Sequence, residues 1–306
     1  MYHRLPVRDS IYFDIHRRVT AHKTTESWEQ IPHAALTLDL DVTALLTLKD
    51  RLRDDPRFAG ARVTFNVIIL KLIALALRES PRMTALLGYN RKAVLGKLTT
   101  PEDVNICMPF QLAHGEMITP VVTRADKRTL RELADEMAEL RRRIANTDPR
   151  LLLLEAGQLD TYRQVRRGRF GFMRRLMAAY FGAGKLDIPS RREIRAYKAI
   201  AEKDRLTPAD LTSGTVVVSN FGNSVRGMSL QATLLNVIRP QTTAIAVNPV
   251  RRAPVVVEDE HGERLEIRDI CPLTVAIDHR AIDFAHVQGF IEAAHALSLE
   301  PEPLLA

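Results

Sequence analysis

The sequence predicts an α/β fold, because strand-like and helix-like runs alternate along its 306 residues, and three observations carry that expectation. Residues 273–277 form an apolar run rich in β-branched side chains that ends on Asp278-His279-Arg280, after which apolar residues recur at helical spacing (Ile282, Phe284, Ala285, Val287, Phe290, Ile291). Residues 67–77 are the longest apolar run; it is broken by Lys71, is too short to span a bilayer, and reads as a buried helix. Two strand-like runs, 104–110 and 117–122, flank His114-Gly115, which predicts a hairpin with its turn there.

The other elements follow in chain order. Residues 11–30 mix Ile11, Tyr12, Ile15, Val19 and Trp28 with basic residues and read as a helix. It breaks at Ile31-Pro32-His33, and the alternation over 35–41 is that of a strand. Helical patterns cover 42–53 and 64–78, the second introduced by Thr64-Phe65-Asn66 with its capping side chains. A long charged helix is predicted over 130–145. Within 146–195 stand four consecutive leucines, 151–154, and then Phe170, Met173, Met177 and Phe181 at helical spacing among Arg169, Arg174 and Arg175. A β-branched run delivers Ser219 to a strand end before the turn Asn220-Phe221-Gly222. A helix over 229–237, strands over 242–248 and 253–257, and a hairpin turn at 260–263 lead into the long strand that ends at His279.

Composition sets the broad class. With 46% hydrophobic and 26% charged residues the chain is an ordinary globular protein, large enough for one sizeable core or two modest ones. A net charge of +7 permits contact with a phosphorylated cofactor, an acidic carrier protein, nucleic acid or an anionic membrane, and selects none of them. Cys107 and Cys271 lack metal-ligand spacing and read as reduced core residues of a cytoplasmic protein. Residues 1–10 contain no apolar stretch of a secretory signal. Glycine-rich nucleotide loops, the Gly-x-Ser-x-Gly elbow and paired-cysteine metal sites are absent, and the basic residues are not interleaved with stacking aromatics, so neither a metal nor nucleic acid is expected.

His279 is the first candidate for chemistry. An imidazole at a strand end can take a proton from a thiol, alcohol or amine near neutral pH, and Asp283 follows four residues later. On these residues alone, the pair reads first as a half-buried histidine and an aspartate complementing a helix N-terminus. Ser219-Asn220-Phe221-Gly222 by itself is a turn, and His33 reads as a strand-edge histidine without chemistry.

Several motifs in one order sharpen this reading. Asp278-His279-Arg280-Ala281-Ile282-Asp283, the entry Glu26-Ser27-Trp28-Glu29-Gln30-Ile31-Pro32-His33, the helix from Thr64 to Lys71, Ile118-Thr119-Pro120-Val121-Val122 and Ser219-Asn220-Phe221-Gly222 resemble the catalytic domain of dihydrolipoyl acyltransferases, the core subunits of 2-oxo acid dehydrogenase complexes. The resemblance covers about residues 11–145 and 200–300. It implies the two-layer fold of chloramphenicol acetyltransferase, a mixed sheet flanked by helices, with His279 as general base, Ser219 as donor to the oxyanion of a tetrahedral intermediate and Asp283 mainly structural. Two positions depart from the pattern: Phe284 stands where the family has glycine, and Lys23 where an arginine is common, so the support that Lys23 lends Asp283 lacks a planar two-pronged contact.

From this resemblance the chain is expected to be a single catalytic domain, 1–306, with an atypical basic insertion at about 146–195. It is expected to act as a stand-alone acyltransferase that takes the acyl group from a thioester, acyl-CoA or an acyl carrier, with coenzyme A thioester as substrate and no tightly bound cofactor. The alternatives are a core working with a lipoyl domain in trans and a non-catalytic core-forming relative. A homotrimer with active sites between subunits is expected. Residues 163–181 are read as a contact for an anionic membrane or an acidic carrier protein, or as a face packed on the body of the protein or on another subunit.

Overall fold

The computed structural model describes residues 6–112, 115–166, 168, 172–182, 184–222, 230–260 and 262–305. Two compact units divide the chain: Met1–Thr25 with Arg143–Pro208, and Glu26–Arg142 with Ala209–Ala306. In chain order the elements are α1 (Ile15–Gln30), β1 (His33–Asp41), α2 (Thr43–Arg53), α3 (Phe65–Arg78), β2 (Leu86–Asn90), β3 (Leu95–Thr99), β4 (Ile106–Cys107), β5 (Phe110–Gln111), β6 (Met117–Ile118), β7 (Val121–Val122), α4 (Leu130–Ala145), α5 (Pro149–Arg166), α6 (Met173–Tyr180), α7 (Arg191–Ala199), β8 (Val216–Asn220), β9 (Thr243–Val247), β10 (Arg251–Asp259), β11 (Gly262–Asp278) and α8 (Gln288–Leu299).

The larger unit holds a seven-stranded mixed sheet in the order β1-β11-β9-β8-β4-β7, with β10 paired to the far half of β11. The predicted α/β fold, a mixed sheet flanked by helices, is the one observed. β11 is its spine: the apolar half from Ile270 to Ile277 is buried between β1 and β9, which is why this stretch reads as a continuous run instead of alternating. α3 is apolar almost all round because it is buried almost all round, against α2 and α8. Its one interior cation, Lys71, spends its ammonium on the carbonyls of Asp126 (3.2 Å) and Arg128 (2.6 Å). Burial pulls that ammonium below the usual lysine range. α8 crosses α3 where Ser80 Oγ accepts from the Phe290 amide at 2.8 Å, and Phe290 fills the core beneath.

The predicted hairpin over 104–122 exists in two short pieces, β4 with β7 and β5 with β6, interrupted where Pro109 and Pro120 cannot donate to the ladder. Its tip residue His114 lies outside the described residues, as do His261 in the β10–β11 turn and Arg169 and Phe170 of the basic segment. Gly262, which opens β11, has φ +101°, the left-handed region that the tight return of this hairpin needs.

Three local expectations are corrected. Residues 230–237 are not helical; Ser229 lies outside the described residues. The backbone of this stretch is claimed by side chains from elsewhere: Asn248 Oδ1 accepts from Ala232 N, Thr274 Oγ1 donates to Ala232 O, and Val237 N donates to His33 Nε2. The helix after His279 starts at Gln288, not at Ile282, because the chain first makes a tight turn and a short 3-10 turn at Phe284–His286. Thr64 precedes α3 but caps nothing; its hydroxyl is buried without a partner among the described residues.

The smaller unit contains α5, α6 and α7. Two of the four leucines, Leu151 and Leu152, are buried in it, and Arg205, nearly buried, lies over the Tyr197 ring and against Glu155. α7 opens with a reciprocal cap between Ser190 and Glu193.

Candidate active site

His279 is the first residue beyond β11, and its backbone is held on both sides. Asp278 N donates to Thr242 O (2.8 Å) on the β9 side, and His279 N donates to Pro32 O (3.0 Å) at the entry of β1. The Ile31-Pro32-His33 break therefore positions the histidine, not just the strand that follows it. Asp278 is buried, and its carboxylate accepts from the Arg280 amide (3.1 Å), Arg280 Nε (2.9 Å) and Arg280 Nη2 (2.5 Å). The guanidinium lies 5.1 Å from the Tyr89 ring centroid. This clasp bends the chain so that Ala281 N and Ile282 N both donate to Asp278 O, and the carbonyl of Ile282 returns to the imidazole.

That return decides the tautomer. His279 Nδ1 lies 3.0 Å from Ile282 O, and a carbonyl can only accept, so in the neutral ring the proton sits on Nδ1 and Nε2 keeps its lone pair. Asp283 Oδ1 is 3.3 Å from the same Nδ1, placed to stabilise the ring when it becomes cationic. Both side chains are more than half exposed, and Phe284, 64% exposed, stands beside them. The Asp283 amide donates to His286 Nδ1, which anchors the start of the 3-10 turn.

His33 is occupied by structure. Its Nε2 accepts from Val237 N (3.1 Å) and lies 3.2 Å from Ser27 Oγ, which itself donates to Val237 O (2.7 Å). Trp28 packs 5.3 Å away, and burial holds the imidazole below the usual histidine range.

Ser219 sits near the end of β8, fixed by what surrounds it. Asn220 Nδ2 donates to Asn66 Oδ1 on α3 (3.0 Å), Asn220 Oδ1 accepts from Gly222 N (2.8 Å), and Phe221 N donates to Val247 O (2.9 Å). Among the described residues the Ser219 hydroxyl has no hydrogen-bond partner, so it can donate to a ligand.

Ser219 and His279 are not brought together within one chain. β8 runs parallel to β9, and β9 antiparallel to β11, so β8 and β11 point in opposite directions. Ser219 is level with Ala246 and hence with Thr274, five residues short of His279. At about 3.3 Å per residue that is roughly 17 Å along the sheet, with two strand spacings of about 4.8 Å across it. The two groups occupy opposite ends of the same sheet.

Cys107 and Cys271 are buried and free, and desolvation pushes both thiols up, Cys271 to about 12, so neither is a ready nucleophile. Among the described residues no group of three or more His, Cys, Asp or Glu could hold a metal ion. The sequence reading gave Asp278, Arg280, Asn220 and Asn66 no role at the site. A signal was present for the first two, since opposite charges two residues apart at the end of an otherwise apolar strand must pair if buried.

Comparison with known proteins places this geometry in context. Residues 8–150 and 185–306 match the family described as 2-oxoacid dehydrogenases acyltransferase (catalytic domain). The chain is 25% identical over 298 residues to the dihydrolipoyllysine-residue acetyltransferase component of the pyruvate dehydrogenase complex of Zymomonas mobilis, covering 97% of this chain and 51% of that protein. Among solved structures, the dihydrolipoamide acetyltransferase of Azotobacter vinelandii, studied for the role of a serine, a histidine and an asparagine in its catalytic mechanism, is similar with a TM-score of 0.67 at 18% identity, covering 100% of this chain and 97% of that one. The cubic core of the pyruvate dehydrogenase multienzyme complex is similar with a TM-score of 0.66 at 17% identity, again covering 100% and 97%. These structural likenesses are of fold. The chain spans about half the length of the curated relatives it matches.

Proposed function

The chain belongs to the family of 2-oxoacid dehydrogenase acyltransferase catalytic domains, and from that premise we propose that it transfers an acyl group between a dihydrolipoyl thiol and coenzyme A. The observation that carries the chemistry is the His279 ring, with Nδ1 committed to Ile282 O and Nε2 left as a base. Nε2 takes the proton of the attacking CoA thiol, and the thiolate adds to the carbonyl of the acyl-dihydrolipoyl thioester. The Ser219 hydroxyl donates to the resulting oxyanion. Collapse expels the dihydrolipoyl thiolate, which regains its proton from the His279 imidazolium, and Asp283 steadies that cation meanwhile. No acyl-enzyme is required. The serine and histidine studied in the Azotobacter relative support the pairing of Ser219 with His279, with Asp283 as the candidate third residue where that protein's is an asparagine.

Since Ser219 and His279 stand at opposite ends of one sheet, a complete site draws one from each of two chains. A ring of three chains closes such a pairing without leaving a half-site over, and the likeness to a cubic core built of this fold supports a homotrimer. A second reading takes a CoA thioester as donor and gives the acyl group to another acceptor, without a lipoyl arm. Phe284, bulky and exposed beside Asp283 where the family has glycine, favours it.

One competition assay separates these readings: acetyl-CoA with free dihydrolipoamide against a panel of alcohol, amine and thiol acceptors, each repeated with His279→Ala. His279-dependent transfer to dihydrolipoamide at the highest kcat/KM supports the proposal. A different best acceptor moves the assignment to the second reading, and the absence of His279-dependent release from any pair identifies a relative that has kept the fold without turnover. Mixing His279→Ala with Ser219→Ala chains during refolding tests the shared site, because mixed oligomers regain intact sites and either variant alone does not.

A further inference from the structure

Residues 161–186 contain six arginines and one lysine and no aspartate or glutamate. Within them α6 places Leu176, Tyr180, Met173 and Met177 inside an arc of about 100° of its circumference, the layout of a helix that buries one face. In this molecule the arc is turned to solvent: the four side chains are 37%, 47%, 48% and 55% exposed, and Phe181 at the helix end is 65% exposed. α6 is held to its unit elsewhere, through buried Phe172, through Arg18, which donates to Ala178 O at 3.2 Å, and through the Leu186 amide, which donates to Ala179 O at 2.8 Å. The apolar arc is thus an addition to a helix already anchored. α6 also lies within 151–184, the stretch that the family match skips, so the body shared with the relatives does not need it.

We propose that α6 and its neighbouring arginines form a docking face for an anionic lipid bilayer. The apolar arc enters the headgroup boundary, and Arg163 and Arg166 at the end of α5, together with Arg174, lie against lipid phosphates. Both halves of the surface argue for this occupant. An acidic carrier protein would match the charge but leave methionine, leucine and aromatic side chains to be desolvated by a polar surface. A second copy of the chain would match the apolar arc but bring two faces without a carboxylate against each other. A bilayer with anionic headgroups satisfies both. Among the described residues no helix is long and apolar enough to cross a membrane, so the contact is one of lying on the surface.

The test is co-sedimentation of the full chain with phosphatidylcholine vesicles and with vesicles of equal parts phosphatidylcholine and phosphatidylglycerol, at low and high salt. The wild type should pellet with the anionic vesicles at low salt and stay in solution with the neutral ones. Arg163→Gln/Arg166→Gln/Arg174→Gln should lower the partition coefficient about a hundredfold, following the contribution of three surface cations. Met177→Asp/Phe181→Asp should abolish pelleting while leaving the mass by light scattering and acyl transfer to soluble acceptors unchanged. Equal pelleting with neutral vesicles, or pelleting that survives either variant, overturns the proposal. So does a fall in oligomer mass in the Met177/Phe181 variant, which would assign the face to a second copy. Binding to a purified acidic lipoyl domain that the arginine variant abolishes, with no binding to vesicles, would assign it to a carrier.

Discussion

Replacing Asp278 by asparagine should cost far more than its position beside a surface histidine suggests. The carboxylate is 1% exposed and accepts three hydrogen bonds from one residue, while the Arg280 side chain is 16% exposed. Removing the negative charge leaves a largely buried guanidinium uncompensated, a loss of roughly 3–5 kcal/mol. The Tyr89 ring still faces the cation, a contact worth about 0.5–2 kcal/mol, which sets the expectation near the lower end, about 3 kcal/mol. Arg280→Met removes the charge that needs compensation, so Asp278→Asn/Arg280→Met should be more stable than Asp278→Asn by at least about 1 kcal/mol, and the coupling around the cycle should exceed about 1.5 kcal/mol. Urea unfolding of the four proteins at one fixed chain concentration measures this, the fixed concentration removing any contribution from assembly. A cost for Asp278→Asn below about 1 kcal/mol, or strict additivity in the double variant, would refute the clasp as the element that sets the His279 turn.

Three further outcomes follow from other parts of the structure. Ser219→Ala should lower kcat about 10²- to 10³-fold, the range for losing one oxyanion donor, yet move the unfolding midpoint little, because among the described residues its hydroxyl holds nothing; a fall in stability to match would make it a structural serine. Gly214→Ala should disrupt β8 and its neighbours, since a Cβ there would stand 1.9 Å from Cys107 Sγ, and Cys107→Ala/Gly214→Ala should recover part of the loss in thermal unfolding; no recovery would show that the clash lies elsewhere. Burial holds His33 below the usual histidine pKa, so the unfolded chain takes up that proton first, and its contribution to stability, whole above about pH 6.5, is lost as the pH falls below it. Stability measured from neutral to mildly acid pH should therefore fall less steeply in His33→Gln, and parallel curves would contradict the assignment.

The parts legible in the sequence were those whose causes are local. The run 273–277 announced a buried strand because four of its five side chains are apolar and three are β-branched, and α3 announced itself by the run 67–77, apolar except at Lys71. The helix wrongly expected over 229–237 shows the opposite case. Its apolar spacing is genuine, but the amides and carbonyls that a helix would use are taken by Asn248, Thr274, Ser27 and His33, residues up to 210 positions away. The start of α8 was misplaced for a related reason: nothing in Ala281-Ile282-Asp283 forbids a helix, and it is Asp278 gripping Arg280 that turns the chain first. At the candidate site, residue types pointed to His279, Ser219 and Asp283, but no pattern in the chain reveals that β8 and β11 are oppositely directed. The resemblance implied sites between subunits, and the register supplies the separation of the two groups within one chain.

β11 spans 17 residues, about 55 Å, and its two halves answer to different partners, β10 over Gly262–Ile270 and β1 over Ile270–Asp278. Changes in chain length therefore have unequal effects along it. A residue gained or lost near the Glu260 turn slides one exposed strand against another and ends at the hairpin tip. The same change between Cys271 and Ile277 carries His279 one pleat, about 3.3 Å, past Pro32 and exchanges the two faces of the strand, setting Thr274 where Val275 belongs. Lineages descended from this chain are thus free to lengthen or trim the hairpin, while the nine positions paired with β1 keep their number even where their side chains are exchanged.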